Sequence, residues 1–225
     1  ADTLTQSSGR FDRVWYAPKG GIWLAMAWPD ILLPEFTRLL PFAVGAACCR
    51  TIRRFGVTAY LKWVNDVLVN GKKLAGVLCS TMLSPDGDRY HLLGIGINGN
   101  NQAFPQEIKG TATSLGIELS QEIDLAKLTG CLLAELQWFL GLLHYDEEQA
   151  LETGESCEQD RQSFLLKTWL QLSDTVGQRV EYGFDVQKKP LYQAVAQAVD
   201  PCGGLVMELE DRSKITEYSG EIVYL

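Results

Sequence analysis

Apolar positions along the chain change spacing several times, and each change predicts an element. Ile22, Trp23, Leu24, Ala25, Met26, Ala27 and Trp28 form one continuous apolar run ended by Pro29 and Asp30, as a buried strand would. Between residues 32 and 55 the spacing becomes helical, with Pro34 and Glu35 as a start signal and Gly56 as a stop. Short runs then return, and 60–63, 67–69, 74–81 and 91–97 read as strands. Asn70-Gly71 and the stretch 84–88 supply turns between them. The strongest helical pattern covers 124–145, with Leu125, Leu128, Leu132, Leu136, Phe139, Leu140 and Leu143 on one repeat. Residues 147–162 are acidic and predict an exposed helix or loop with solvated charges; 163–172 predicts a short helix. From residue 176 onward the strands are short and punctuated: 179–182, 191–199, 205–209, 215–218 and 222–224. The fold class is therefore α+β. A mixed or antiparallel sheet with helices on one face occupies residues 1–173, and a small β-barrel occupies 174–225.

Composition narrows the function classes. The chain has 225 residues, of which 46% are hydrophobic and 21% charged, enough for a sizeable core and too few charges for disorder. Its net charge of −8 argues against nucleic acid as a partner. Apolar runs such as 39–49 are interrupted by Pro41 and Gly45, and no basic-then-apolar leader opens the sequence. No membrane association and a cytoplasmic location are the expectations. The six cysteines include no Cys-x-x-Cys pair and have only His91 and His144 as co-ligands, so a zinc site is not expected. Cys48 and Cys49 lie in an apolar helical pattern, as buried small hydrophobes would, and reduced thiols are the simplest reading.

The chemistry concentrates at residues 62–76. Lys62, Asn65 and Asp66 open one strand of a hairpin, and Lys73 opens its partner just after the Asn70-Gly71 turn. Gly76, two or three residues on, would let a ligand lie against bare backbone. A lysine beside such a surface suits a carboxylate or phosphate, although an ordinary surface hairpin with lysines at its tip has the same turn. Upstream, Ser7, Ser8, Gly9, Arg10, Arg13 and Trp15 combine small residues, whose amides can face an anion, with bidentate guanidinium donors. Downstream, Gly94, Gly96 and Asn98 lie in a strand as Gly-x-Gly-Ile-Asn, a close-packing device without the spacing of a dinucleotide fingerprint.

Together these segments resemble the biotin protein ligases. Lys62, Trp63, Asn65, Asp66, Lys73, Leu74, Ala75 and Gly76 match that family's Lys-Trp-Pro-Asn-Asp and Lys-Leu-(Gly/Ala)-Gly signature, with Val64 in place of proline. Gly9-Arg10, Arg13 and Trp15 match part of its Gly-Arg-Gly-Arg-x-Gly-Arg-x-Trp loop, with Ser7, Ser8 and Asp12 departing and Leu4-Thr5 standing for the usual Gln-Thr. Residues 111–115 resemble its Ala-Thr-Ser-Leu segment, and Ser219 to Ile222 its closing Gly-Glu-Ile. The resemblance runs in order along almost the whole sequence. Nothing matches the Ser/Thr-Asn motif on the strand and helix that open the family's catalytic domain.

The resemblance implies a class II aminoacyl-tRNA-synthetase-like ligase core and a C-terminal SH3-like barrel. It implies ATP and Mg²⁺ as cofactors, biotin as substrate and a biotin carboxyl carrier domain as partner, the ligase being a monomer or homodimer that does not bind DNA. Lys73 and Arg10 would be catalytic. Thr5, Ser7, Ser8, Gly9, Arg13, Trp15, Lys62, Asn65, Asp66, Gly76, Gly94, Gly96 and Asn98 would bind biotin or its adenylate, Trp15 as a wall for adenine. Asp66 is the candidate Mg²⁺ ligand. A catalytically weak binding paralogue and a lipoate-ligase-like acyltransferase are the alternatives.

Overall fold

The structure, a computed structural model, describes residues 1–7, 9–10, 13–154 and 163–225. The first sheet contains β1 (Ile22–Pro29), β2 (Tyr60–Lys62), β3 (Asp66–Val69), β4 (Lys72–Leu83) and β5 (Arg89–Ile97) in the order β1-β5-β4-β3-β2. Every pairing in it is antiparallel. Short α1 (Pro34–Thr37) and α2 (Leu40–Arg54) cover one face; α4 (Leu125–Thr153) and α5 (Phe164–Leu172) pack behind α2. A fifth helix, α3 (Leu115–Leu119), starts at Ser114, whose hydroxyl caps the Ile117 amide.

The alternation of side chains across the strands decides what faces the helices. In β5, Leu93, Ile95 and Ile97 are buried, while Gly94 and Gly96 point to the opposite face. On the helix side α2 contributes Phe42, Ala43, Val44, Ala46, Ala47, Cys48, Cys49 and Ile52, all at most 1% exposed. Burial pushes the Cys48 thiol well up and the Cys49 thiol up to about 11, which fits their role as small hydrophobes.

Several sequence expectations need correction. The single helix expected over 32–55 is interrupted at Arg38 and Leu39, because Pro41, in the first turn of α2, has no N–H to donate to the Thr37 carbonyl and its ring crowds that turn. Helix α4 continues past Tyr145 to Thr153 and ends at Gly154, which takes φ 71°. By length and composition alone it is apolar enough to cross a bilayer. Its Leu128, Leu132, Leu136, Phe139, Leu140 and Leu143 are buried in the core. The acidic stretch is also not uniformly solvated. Glu147 is 8% exposed and accepts the Leu33 amide at 2.6 Å. Asp146, just before that stretch, is 2% exposed and caps α5, accepting from the Ser163 hydroxyl and the Phe164 and Leu165 amides. Residues 155–162 of that stretch lie outside the described residues. Finally, Cys202 is disulfide-bonded, so the expectation of six reduced thiols does not hold.

The C-terminal sheet contains β6 (Arg179–Gly183), β7 (Tyr192–Val199), β8 (Leu205–Glu208), β9 (Lys214–Glu217) and β10 (Glu221–Tyr224), ordered β10-β6-β7-β8-β9. All its pairings are antiparallel, and among the described residues no ladder joins β9 to β10. Val180, Tyr182, Ala196, Leu205, Met207 and Ile222 continue the same core as the first sheet. Trp63, at the end of β2, is 2% exposed, and its indole N–H donates to the Gly203 carbonyl at 3.2 Å. Gly203 has no room for a Cβ, which would meet Phe42 at 2.9 Å. The two sheets are therefore joined at the base of the lysine hairpin.

Candidate functional site

The hairpin forms as its turn residues require: Asn70 and Gly71 take φ 50° and 74°, the left-handed pair of a type I′ turn. Register then builds a row across the sheet. Lys62 pairs with Asp66, Asp66 with Gly76, Gly76 with Gly96, and Gly96 with Trp23. Directly paired residues of antiparallel strands share a face, so this row lies opposite the helices. Two charged side chains and two bare glycines are thereby set side by side.

Electrostatics at the charged end favour an anion. The Lys73 ammonium lies 2.5 Å from Asp66 Oδ1, and Lys62 Nζ lies 3.3 Å from Oδ2. Burial pushes the Asp66 carboxyl up, but the two lysines outweigh it and hold the group below its ordinary value. Two ammonium groups on one carboxylate leave one positive charge uncompensated within the trio. The backbone of Lys73 is braced as well: its amide donates to Thr111 at 2.7 Å, and its carbonyl accepts from Thr113 at 3.0 Å. Asn98 is 4% exposed and donates to the Thr113 carbonyl at 2.9 Å, fixing the bracing segment.

The glycines carry the Trp15 indole. A Cβ on Gly96 would come within 2.8 Å of three ring atoms, and one on Gly76 within 3.0 Å of the ring and 2.8 Å of Lys73 Cε. Lys73 Nζ sits 5.0 Å from the ring centroid, a cation–π distance. The indole N–H is buried and has no hydrogen-bond partner among the described residues. A ligand meeting this floor lies against Trp15 or displaces it, and finds an unmatched donor beside an unbalanced cation. Gly94 differs, since a Cβ there would meet only Leu78, at 3.4 Å.

The arginine loop is held elsewhere. Arg10 donates to the Gly220 carbonyl at 2.7 Å. Arg13 bridges Asp185 at 2.5 Å and Glu221 at 2.6 Å. Burial lowers the affinity of Arg13 for its proton, but the two carboxylates raise it above the ordinary value. Ser7 donates its hydroxyl to the Trp15 carbonyl, and the Gly9 amide donates to the Arg13 carbonyl at 2.7 Å. The loop thus spans from the glycine floor to the C-terminal sheet.

Known proteins resemble this chain over the segments that build the arrangement. Residues 3–100, which carry the loop, the hairpin and the glycine strand, match the Biotin/lipoate A/B protein ligase family. In that segment the chain is similar to this family. The bifunctional ligase/repressor BirA of Bacillus spizizenii is 39% identical over 130 residues, 56% of this chain and 40% of that protein. Its namesake in Salmonella typhimurium is 25% identical over 207 residues, 89% of this chain and 58% of that protein. The matches therefore span about two fifths to three fifths of these curated relatives. The fold is that of the biotin protein ligase from Aquifex aeolicus in complex with biotin and ATP: TM-score 0.76, 21% identity, 100% of this chain and 87% of that one.

Within this fold the expected site residues divide into two groups. Lys62, Asp66, Lys73, Gly76, Gly96 and Trp15 converge on one face. Arg10 and Arg13 reach the C-terminal sheet, and Thr5 is exposed. Asn65 donates to the Val77 carbonyl, so its amide secures the hairpin, as Asn98 secures the segment that braces Lys73. Gly94 lies two residues from Gly96 on the same face without touching Trp15. Ser8 lies outside the described residues. As a metal ligand Asp66 does not fit, because both its oxygens face lysines; among the described residues no group of three His, Cys, Asp or Glu side chains is arranged to hold a metal. Sequence reasoning missed Asp185 and Glu221 as partners of Arg13. Glu221 stands in the Gly-Glu-Ile motif, and that was the one available signal.

Proposed function

We propose that this chain catalyses ATP-dependent biotinylation of a carrier lysine. The observation that carries the reading is the Lys62–Asp66–Lys73 trio beside the paired glycines Gly76 and Gly96, under an aromatic ring. A carboxylate-bearing ligand with a flat apolar body suits both halves of that surface. Support also comes from relatives named as ligases and from the fold shared with a ligase that binds biotin and ATP.

In the first step a biotin carboxylate oxygen attacks the α-phosphorus of ATP. An oxygen–phosphorus bond forms, the α–β phosphoanhydride breaks, and pyrophosphate leaves. Biotin's carboxylate and the nucleotide's phosphate are both anionic and repel each other. Lys73, with Lys62 behind it, offers the positive charge that lets them approach and that stabilises charge gathering on the phosphate oxygens. In this reading Asp66 aims Lys73 rather than reacting. In the second step the amine of a carrier-domain lysine attacks the acyl carbon; an amide forms, AMP departs with the carbon–oxygen electron pair, and the amine loses a proton. Mg²⁺ would enter with the nucleotide's phosphates, supplying further charge neutralisation, and no step here depends on a protein ligand for it.

Pyrophosphate release is the test. Release that requires biotin and is not supported by lipoate is expected. Release with lipoate alone would move the reading to the acyltransferase alternative, and none with either would reject it.

A further inference from the structure

Strand β2 is the edge of the first sheet, and an edge strand carries backbone groups that need partners. Here residues 173–175 supply them. The Leu61 carbonyl accepts from the Ser173 hydroxyl at 2.8 Å and the Asp174 amide at 3.3 Å, and the Trp63 amide donates to Thr175 Oγ1 at 3.0 Å. Thr175 is 0% exposed and touches a second hydroxyl, that of Tyr224 in β10, at 3.0 Å. Tyr224 in turn donates to Asp174 Oδ1 at 2.7 Å.

Proton counting orients the whole chain of bonds. Tyr224 has one hydroxyl proton and gives it to Asp174, so it can only accept from Thr175. Thr175 accepts from Trp63 and gives its own proton to Tyr224. The sequence is Trp63 N–H to Thr175 to Tyr224 to Asp174, and each hydroxyl donates once and accepts once. Neither hydroxyl can be removed without leaving a buried polar group unmatched. Trp63 directly follows Lys62 and lies three residues before Asp66, so this chain of bonds ends on the backbone that sets the lysine trio.

We infer that Thr175 and Tyr224 are positioning residues for the adenylation site, through which the C-terminal sheet holds Lys62 and Asp66 in the geometry that orients Lys73. The inference rests on the ligase reading. Neither residue touches the substrates; both act through the Trp63 backbone.

The experiment measures kcat and KM for biotin-dependent pyrophosphate release by the wild-type chain and by Thr175→Val, Thr175→Ser and Tyr224→Phe, each with its thermal midpoint. Thr175→Val and Tyr224→Phe are each expected to lower kcat/KM about ten-fold, the worth of one buried hydrogen bond, while Thr175→Ser stays within about three-fold of wild type. A merely structural role would lower the midpoint without changing turnover well below it. If Thr175→Val is unfolded at the assay temperature, Tyr224→Phe, which removes one oxygen and opens no cavity, decides by the same threshold. An active wild type with folded variants within about two-fold of it would overturn the inference, as would equal losses in Thr175→Ser and Thr175→Val. A wild type that releases no pyrophosphate would overturn the ligase reading itself, and the inference with it.

Discussion

Adding one methyl group to each glycine of β5 and β4 separates a functional floor from mere strand packing. At Gly96 the new Cβ would lie 2.8 Å from three atoms of the Trp15 ring, about 0.7 Å inside the shortest favourable carbon–carbon separation of about 3.5 Å. Overpacking of this kind costs about 1–3 kcal/mol when the surroundings cannot move. Opposing it, Gly→Ala stabilises by about 0.4–1 kcal/mol through the unfolded chain. The clash is with a side chain on a loop rather than with backbone, so the ring shifts and global stability changes little. What changes is the surface offered to the ligand. Gly96→Ala and Gly76→Ala should therefore lower kcat/KM for adenylation by about ten- to hundred-fold, since each 1.4 kcal/mol is a factor of ten. Gly76→Ala also presses Lys73 Cε at 2.8 Å. Gly94→Ala is the control, because its Cβ would meet Leu78 at an ordinary 3.4 Å. Steady-state pyrophosphate release, with Trp fluorescence recorded in parallel, reads all three. Wild-type turnover in Gly96→Ala, or equal damage in Gly94→Ala, would refute the placement of the ligand over the paired glycines.

Further outcomes follow from the charges. Lys73→Ala should abolish biotinyl-adenylate formation while the protein stays folded, and retained formation of the adenylate would remove the central assignment. Asp66 has a depressed folded-state value, so its contribution to stability is present above the ordinary carboxylate range and is lost as pH falls through the folded value, below about pH 4. The stability gap between wild type and Asp66→Asn, followed by chemical denaturation, should shrink over that window; a gap unchanged down to pH 2 would contradict the pairing. Arg13→Glu should loosen the loop from the C-terminal sheet, and adding Glu221→Arg should restore it, because the pair at 2.6 Å is regenerated in reverse. Amide exchange at Trp15 reports both, and identical exchange in wild type and Arg13→Glu would argue against the latch.

The hairpin was legible in the sequence because its determinants are local. Asn70 and Gly71 can hold positive φ, and the flanking runs fix which residues pair. The helices were legible as existing elements but not in their limits, since Pro41 and Gly154 act over a turn or less and the pattern is read over many. The fate of the acidic residues was not legible. Glu147 looks like solvated charge until the Leu33 amide is brought against it, as the α5 amides are against neighbouring Asp146, and backbone donors without partners then make burial favourable. The partners of Arg10 and Arg13 were hidden for the same reason in reverse. Their partners at Gly220 and Glu221 are about two hundred residues away, and nothing in a local motif says which distant acceptor a guanidinium will choose. The Lys62–Asp66 pairing was within reach, because the hairpin register dictates it. That both lysines share this one carboxylate emerged only from the folded geometry.

Transfer of biotin to a carrier lysine tests the central claim most directly. The chain is incubated with biotin, ATP, Mg²⁺ and a biotin carboxyl carrier domain, and the carrier is read by intact-mass and peptide mass spectrometry. The account predicts one biotinyl group on a single lysine, dependent on ATP and absent with Lys73→Ala. An unmodified carrier, under conditions where an established biotin ligase labels it, or labelling that survives loss of Lys73, would contradict it.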